Sequence, residues 1–204
     1  IVQLSAPAPD AGLLHLPAGS EMDSVPVHGV RCRFKTIYEV STGASVLENA
    51  TFDAMIKAPP GVRLPASVSS SLNISICHLD AAPATLRIFI DGEPSFSAVL
   101  RDALFTRTAC AFVSTDAGAW FALPSIPVAP VGFADAEALI PFGARSQPAY
   151  RLLGEYFAYP EKFNFFDIAV TEMSRALPLG CQRVTLHLCM AGLRPDSDSA
   201  RMLT

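Results

Sequence analysis

Apolar and polar residues alternate along much of the chain, and a two-residue period predicts strands. Across Val30–Val40, the residues Val30, Cys32, Phe34, Thr36, Tyr38 and Val40 face one way. Arg31, Arg33, Lys35, Ile37 and Glu39 face the other, so the segment reads as one half-buried strand. Val46–Ile56 reads as a second. Leu72, Ile74 and Ile76 alternate with Asn73, Ser75 and Cys77 to give a third, and Leu86–Ile90 a fourth, closed by the Asp91-Gly92 turn. Thr108–Ser114 and Ala119–Leu123 form a strand pair around Asp116-Ala-Gly118. Arg183–Met190 places Val184, Leu186, Leu188 and Met190 on one face, and a short strand is expected at Ile1–Leu4. The helical period is rarer. Phe96, Val99, Leu100, Ala103 and Leu104 make an apolar stripe over Ser95–Phe105, with Pro94 or Ser95 suited to its start. Ala134–Ile140 reads as a short helix with Asp135 and Glu137 in its first turn, where the dipole favours acids. Thr171–Leu177 reads as a helical turn.

Breakers separate these runs. Ala58–Pro65 holds three prolines and is a loop, and Pro124–Pro130 is extended and edge-like because proline cannot donate to a ladder. Arg194–Ser199 is polar and reads as loop or disorder. The sum is an α+β, β-rich chain of short, mostly antiparallel strands with two or three short helices. It divides into two lobes: a β-rich lobe over 1–130 with one helix at about 95–105, and a smaller α/β lobe over 131–204.

One stretch concentrates the aromatic residues. Tyr150–Phe166 holds seven of the eighteen: Tyr150, Tyr156, Phe157, Tyr159, Phe163, Phe165 and Phe166. Tyr150, Leu153, Tyr156 and Phe157 fall at helical spacing, which predicts a helix with that face against a core. Arg151 and Glu155 are four apart and can pair across a turn. Pro160 should stop the helix at Tyr159, and Phe163–Val170 then reads as a strand. Each ring buries on the order of 150–250 Å², so this corner is a core or an interface. Phe165→Ala is expected to cost roughly 3–5 kcal/mol if the ring is fully buried.

A stripe of this kind is most often core packing, and Leu152, Leu153 and Ile168 argue for its burial; composition speaks to the surroundings of the chain. The chain has 204 residues, 50% hydrophobic and only 17% charged, against about 25% charged in a typical domain. A surface so poor in charge suits a protein that lives inside an assembly. The net charge is −4, which disfavours nucleic acid as the partner; the basic cluster Arg31, Arg33, Lys35 reads as the solvated face of a strand. No apolar run is long enough for a membrane span. The five cysteines show no CxxC spacing, and Cys32, Cys77, Cys110 and Cys189 sit in apolar or strand-like runs. They read as buried free thiols in a reducing compartment.

Catalytic and metal-binding patterns are sparse. Cys77-His78 and His187-x-Cys189 could supply four metal ligands if their strands were neighbours. Cys110 or Cys189 could pair with His78 and Asp80 as a nucleophile system. Either would make the chain a cysteine- or metal-dependent hydrolase, and both require these residues to converge. A carbohydrate- or peptide-binding β module is the other alternative, and it requires several corner aromatics exposed side by side. No pattern for a cofactor is found.

Three stretches carry a family resemblance. Tyr150-Arg-Leu-Leu-Gly-Glu-Tyr-Phe-Ala-Tyr-Pro-Glu-Lys-Phe-Asn-Phe-Phe-Asp-Ile168 resembles the signature of TssF, a baseplate subunit of the bacterial type VI secretion system. Gly154, Tyr159 and Asn164 depart from it. Pro130-Val-Gly-Phe-Ala-Asp-Ala-Glu-Ala-Leu-Ile-Pro-Phe142 and Cys32-Arg-Phe-Lys-Thr-Ile-Tyr-Glu-Val40 are similar to two further segments of that family, in the same order. Family members are considerably longer, so the resemblance implies an internal portion of a larger subunit. It also implies a non-enzymatic structural role in the bacterial cytoplasm, in a baseplate wedge docked at the inner face of the envelope. Two TssF copies and one TssG would make the wedge, with the TssK adaptor, the TssE sheath initiator and the VgrG spike in the assembled machine. Tyr150, Leu153, Glu155, Tyr156, Phe157, Pro160, Phe163, Phe165 and Phe166 are the residues expected to serve structure or interaction.

Overall fold

The computed structural model describes residues 13–143, 146–178 and 180–204, so the strand expected at Ile1–Leu4 lies outside the described residues. The strands, in chain order, begin with β1 (Leu14–Leu16), β2 (Glu21–Asp23), β3 (Arg33–Lys35), β4 (Val40–Thr42), β5 (Val46–Asp53), β6 (Val68–Cys77) and β7 (Thr85–Phe89). Helix α1 (Pro94–Asp102) follows, then β8 (Thr108–Thr115), β9 (Trp120–Ala122) and β10 (Val128–Pro130). The chain continues through α2 (Pro148–Ala158), β11 (Phe165–Ala169), α3 (Val170–Ala176), β12 (Arg183–Ala191) and α4 (Asp198–Leu203). The architecture is α+β and strand-rich, with every named strand pair antiparallel.

The chain forms two compact units, each built from two separate stretches. One takes Ile1–Ala44 and Val131–Phe163; the other takes Ser45–Pro130 and Asn164–Thr204.

The second unit holds a five-stranded sheet of order β5-β6-β12-β8-β9 and a three-stranded sheet of order β10-β11-β7. Period-2 patterning builds the first. Leu72, Ile74 and Ile76 on β6, Ala111 and Val113 on β8, and Val184, Leu186, Leu188 and Met190 on β12 are all buried in one cluster. Full burial of each aliphatic side chain is worth roughly 1.5–3 kcal/mol, so this face dominates the unit. Helix α1 starts with Pro94 at its first position, where a missing N–H costs nothing. Its stripe continues into a π-helical turn at Ala103–Arg107, and Ala103 and Leu104 are buried. Phe96, Val99 and Leu100 pack on the same cluster. Val128–Pro130 is an edge strand, consistent with Pro130 within it and Pro127 just before it.

Arg194–Ser197 is loop, as read, and helix α4 corrects the reading only at Asp198 and Ser199. Ser197 caps it, its Oγ accepting from the Ala200 backbone N–H at 3.2 Å. Ala200 and Leu203 are buried, three apart on one face, so two apolar contacts order a polar tail.

The first unit is built differently. Val30–Val40 is not one strand: β3 pairs with β2, the chain bends at Ile37-Tyr38, and β4 pairs with β1. The alternation has no core to satisfy there, and Phe34 is exposed. Ion pairs hold the ribbon instead, Lys35 to Glu21 at 3.1 Å and Arg33 to Asp23 at 3.2 Å. The helix expected at Ala134–Ile140 is a single 3-10 turn at Asp135–Glu137, where Glu137 accepts from the backbone N–H of Gly132 and of Ala134. The cysteines are free, but only Cys189 is buried; Cys32 is exposed and the other three are half-buried.

Candidate interaction surface

Helix α2 begins with Pro148 at its first position and ends at Ala158, one residue before Tyr159, which turns out of the helix ahead of Pro160. The proline therefore stops the helix where the sequence says it should. The strand does not follow at once. Pro160–Asn164 form a 3-10 turn, and β11 begins at Phe165.

The orientation of α2 overturns the expected burial. Tyr150 is 74% exposed, Leu153 54%, Tyr156 48% and Phe157 81%, while Arg151 and Glu155 are 5% and 0% exposed. The charged side of the helix faces in and the aromatic side faces out. The cause is a set of polar partners. The Glu155 carboxylate accepts from the backbone N–H of Leu139 at 2.7 Å and of Ile140 at 3.2 Å through Oε1. Its Oε2 accepts from Arg151 Nη1 at 3.0 Å and from Lys162 Nζ. Four donors fill the carboxylate's acceptor sites. Arg151 Nη2 donates to the carbonyl of Phe133 at 3.0 Å and pairs with Asp135 at 3.3 Å, and its guanidinium lies 5.0 Å over the Phe142 ring. The loop from Val131 to Phe142 thus hangs on two side chains of α2, and those side chains must point inward. Burial pushes the Glu155 carboxyl up, but the Lys162 ammonium and the two backbone N–H groups outweigh it and hold the group below its ordinary range.

Beneath the helix, Phe163 is buried, with its ring 5.1 Å from Phe133 and 6.0 Å from Tyr156. Gly132 makes this approach possible. Its φ is +101°, and a Cβ there would stand 3.1 Å from the Lys162 carbonyl and 3.2 Å from the Phe163 ring.

The nine corner residues therefore separate. Tyr150, Leu153, Tyr156 and Phe157 form an outward apolar face; Glu155 is the buried hub; Pro160 is exposed at the helix stop. Phe163 and Phe166 are buried, and Phe165 is half-buried against Phe89 at 4.8 Å, not at the centre of a core. Sequence reasoning found the Arg151–Glu155 pair but missed its burial and missed Lys162. That lysine lies seven residues after Glu155, beyond any helical-spacing rule.

The hydrolase alternatives do not assemble. Cys77 stands opposite Arg183 in the β6–β12 register, so His187 and Cys189 lie four and six residues along the strand, about 13 and 20 Å away. Metal bonds of about 2.0–2.3 Å cannot bridge that. The same spacing separates His78 from Cys189 and from Cys110, which stands opposite Cys189. A cleft of about 570 Å³ does open beside Cys77 and His78, with Asp116, Cys181 and Arg183 on its wall.

His187 serves another arrangement that the sequence did not reveal. Asn73 Nδ2 donates to Asp53 Oδ2 at 2.8 Å. Asn73 Oδ1 then accepts from His187 Nδ1–H at 2.8 Å, and His187 Nε2 accepts from the Ser114 hydroxyl at 2.8 Å. The Trp120 indole stacks on the imidazole at 3.9 Å. Burial lowers the His187 pKa to about 4. The line crosses β5, β6, β12 and β8, tying neighbouring strands on the face away from the apolar cluster.

The chain matches the family model described as Type VI secretion system, TssF, over residues 1–202. It is 30% identical over 122 residues to the type VI secretion system component TssF1 of Pseudomonas aeruginosa, an alignment covering 59% of this chain and 19% of that protein. It is similar in fold, with a TM-score of 0.70 and 22% identity, to a chain in the cryo-electron microscopy structure of a TssK-TssF-TssG baseplate subcomplex of the type VI secretion system. That match covers 91% of this chain and 34% of the solved one, so the chain spans about a third of its length. Among the described residues, no helix is long and apolar enough to cross a membrane.

Proposed function

The chain belongs to the type VI secretion system TssF family, and on that premise we propose that it is a structural portion of a baseplate subunit that works by protein–protein assembly, without bond chemistry. The observation that carries this reading is the outward face of α2. Four large apolar side chains are held in solvent by an internal charge cluster. An apolar patch of this kind marks an interaction site, and aromatic anchors dominate binding energy at such sites.

In this reading the partners are a TssG-like and a TssK-like baseplate protein and a second TssF copy. The sheath initiator and the spike complete the surroundings in the assembled machine. The place of action is the cytoplasmic side of the cell envelope, at the inner face of which the baseplate docks. The subunit holds its neighbours in the wedge until firing.

Co-purification of the full-length protein with its TssG neighbour tests the proposal. The parent protein is expected to form the complex. Tyr150→Asp with Phe157→Asp is expected to weaken it by at least ~2 kcal/mol, the range of an aromatic hot spot, with an unchanged melting temperature. A parent protein that forms no complex where an established pair does, or a double variant that binds as tightly as the parent, overturns it.

A further inference from the structure

A second surface is built into the five-stranded sheet. Among the described residues, strand β5 pairs with β6 and lies at the end of the strand order. It is eight residues long, whereas the edge strands β9 and β10 have three residues each and β7 has five. Proteins guard long edges with proline, with lysine, with charges turned toward the opening or with a bulge, and the bulge of β5 lies near its start, between Leu47 and Asn49. Val46-Leu-Glu-Asn-Ala-Thr-Phe-Asp53 has neither proline nor lysine, and both of its acids are tied back over their own sheet. Glu48 is held by Arg183 Nη2 at 2.6 Å and accepts from Cys77 Sγ at 3.3 Å. Asp53 accepts from Asn73 Nδ2 at 2.8 Å.

The two faces of this edge differ in chemistry. Leu47, Ala50 and Phe52 stand opposite Ile76, Ile74 and Leu72, so they extend the face of the apolar cluster. Asn49, Thr51 and Asp53 stand opposite Ser75, Asn73 and Ser71 on the polar face. Leu47 is exposed although Ile76 beside it is fully buried; the apolar surface runs past the last strand. A bulge between Leu47 and Asn49 sets Glu48 out of register and leaves Asn49–Asp53 as a regular ladder. Arg183 offsets the charge of Glu48, whereas the partner of Asp53 is a neutral amide.

We propose that the outer edge of β5 is a strand-addition site. Its occupant is an extended segment of a partner protein with alternating residues, apolar beside Leu47, Ala50 and Phe52 and polar beside Asn49 and Thr51. A basic side chain lies beside Asp53. Main-chain hydrogen bonds supply affinity and the alternation supplies specificity. The proposal rests on the assembly reading only in that the occupant is a protein, and its readout is separate from α2.

The test is amide hydrogen exchange on the 204-residue chain with a synthetic peptide matched to β5 in length. The peptide alternates valine and threonine and carries lysine at the end that meets Asp53. Its analogue is N-methylated at every second residue, which keeps the side chains and removes the donors along one edge. The outward-pointing amides of Val46–Asp53, those not donated to β6, are expected to exchange about tenfold more slowly with the first peptide at ten times its Kd, and at an unchanged rate with the analogue. Equal protection by both peptides, or none at β5 from the first, overturns the proposal. So does protection of β5 that rises with concentration of the chain alone, since the occupant is then a second copy. A TssG neighbour that binds through α2 and leaves β5 exchange unchanged also removes it, with the assembly reading intact.

Discussion

Glu155 is the residue on which the corner turns. Its carboxylate compensates Arg151 and Lys162 and receives two loop N–H groups. Removing one partner of a buried ion cluster leaves the other charges without an anion, at a cost of about 3–5 kcal/mol. Glu155→Ala is therefore expected to lose that much in denaturant unfolding, and the 139–140 amides should exchange faster. Phe157→Ala removes a larger and more apolar side chain, yet it lies in solvent, so its effect should fall within about 0.5 kcal/mol. The opposite order in the unfolding measurement would mean that α2 buries its aromatic face.

Neighbouring positions on one strand separate in the same way at the scale of the element. On β11, Phe166 points into the apolar cluster and Phe165 to the other side, where it rests half-buried on Phe89. Phe166→Ala is expected to cost roughly 3–5 kcal/mol and Phe165→Ala clearly less, as read from the urea midpoint at constant m-value. Equal costs would contradict the face assignment. The elements legible in the sequence are those whose side chains make their own environment. The alternations of β6 and β12 bury what they predict, and the stripe of α1 is half-buried at Phe96, Val99 and Leu100 and buried at Ala103 and Leu104. Val30–Val40 alternates just as cleanly, but with no core against it the chain breaks into β3, a bend and β4. The existence and end of α2 were legible from spacing and Pro160. Its rotation was not, because Lys162 and the N–H groups of Leu139 and Ile140, which decide it, lie outside the helix.

The whole molecule divides its apolar side chains unevenly. Among the described residues, the unit of Ile1–Ala44 and Val131–Phe163 buries only Val131 and Phe163 as hydrophobics. It exposes Leu13, Leu14, Val25, Val27, Val30, Phe34, Ile37, Phe133 and Ile140 besides the face of α2. The other unit holds the contiguous cluster. Few buried apolar contacts mean low local stability. Amides of β1–β4 and α2 are thus expected to exchange faster than those of β6 and β12 in the isolated chain, and to slow when a baseplate partner is bound. Equal protection in the free chain would count against this. The inward charges of α2 have one more consequence. Folding of the corner depends on Arg151, Glu155, Lys162 and Gly132, while its outer surface depends on Tyr150, Leu153, Tyr156 and Phe157. The two sets share no residue, so in the proposed assembly the outer four could change with a changing neighbour while the residues that fold the corner stay constant.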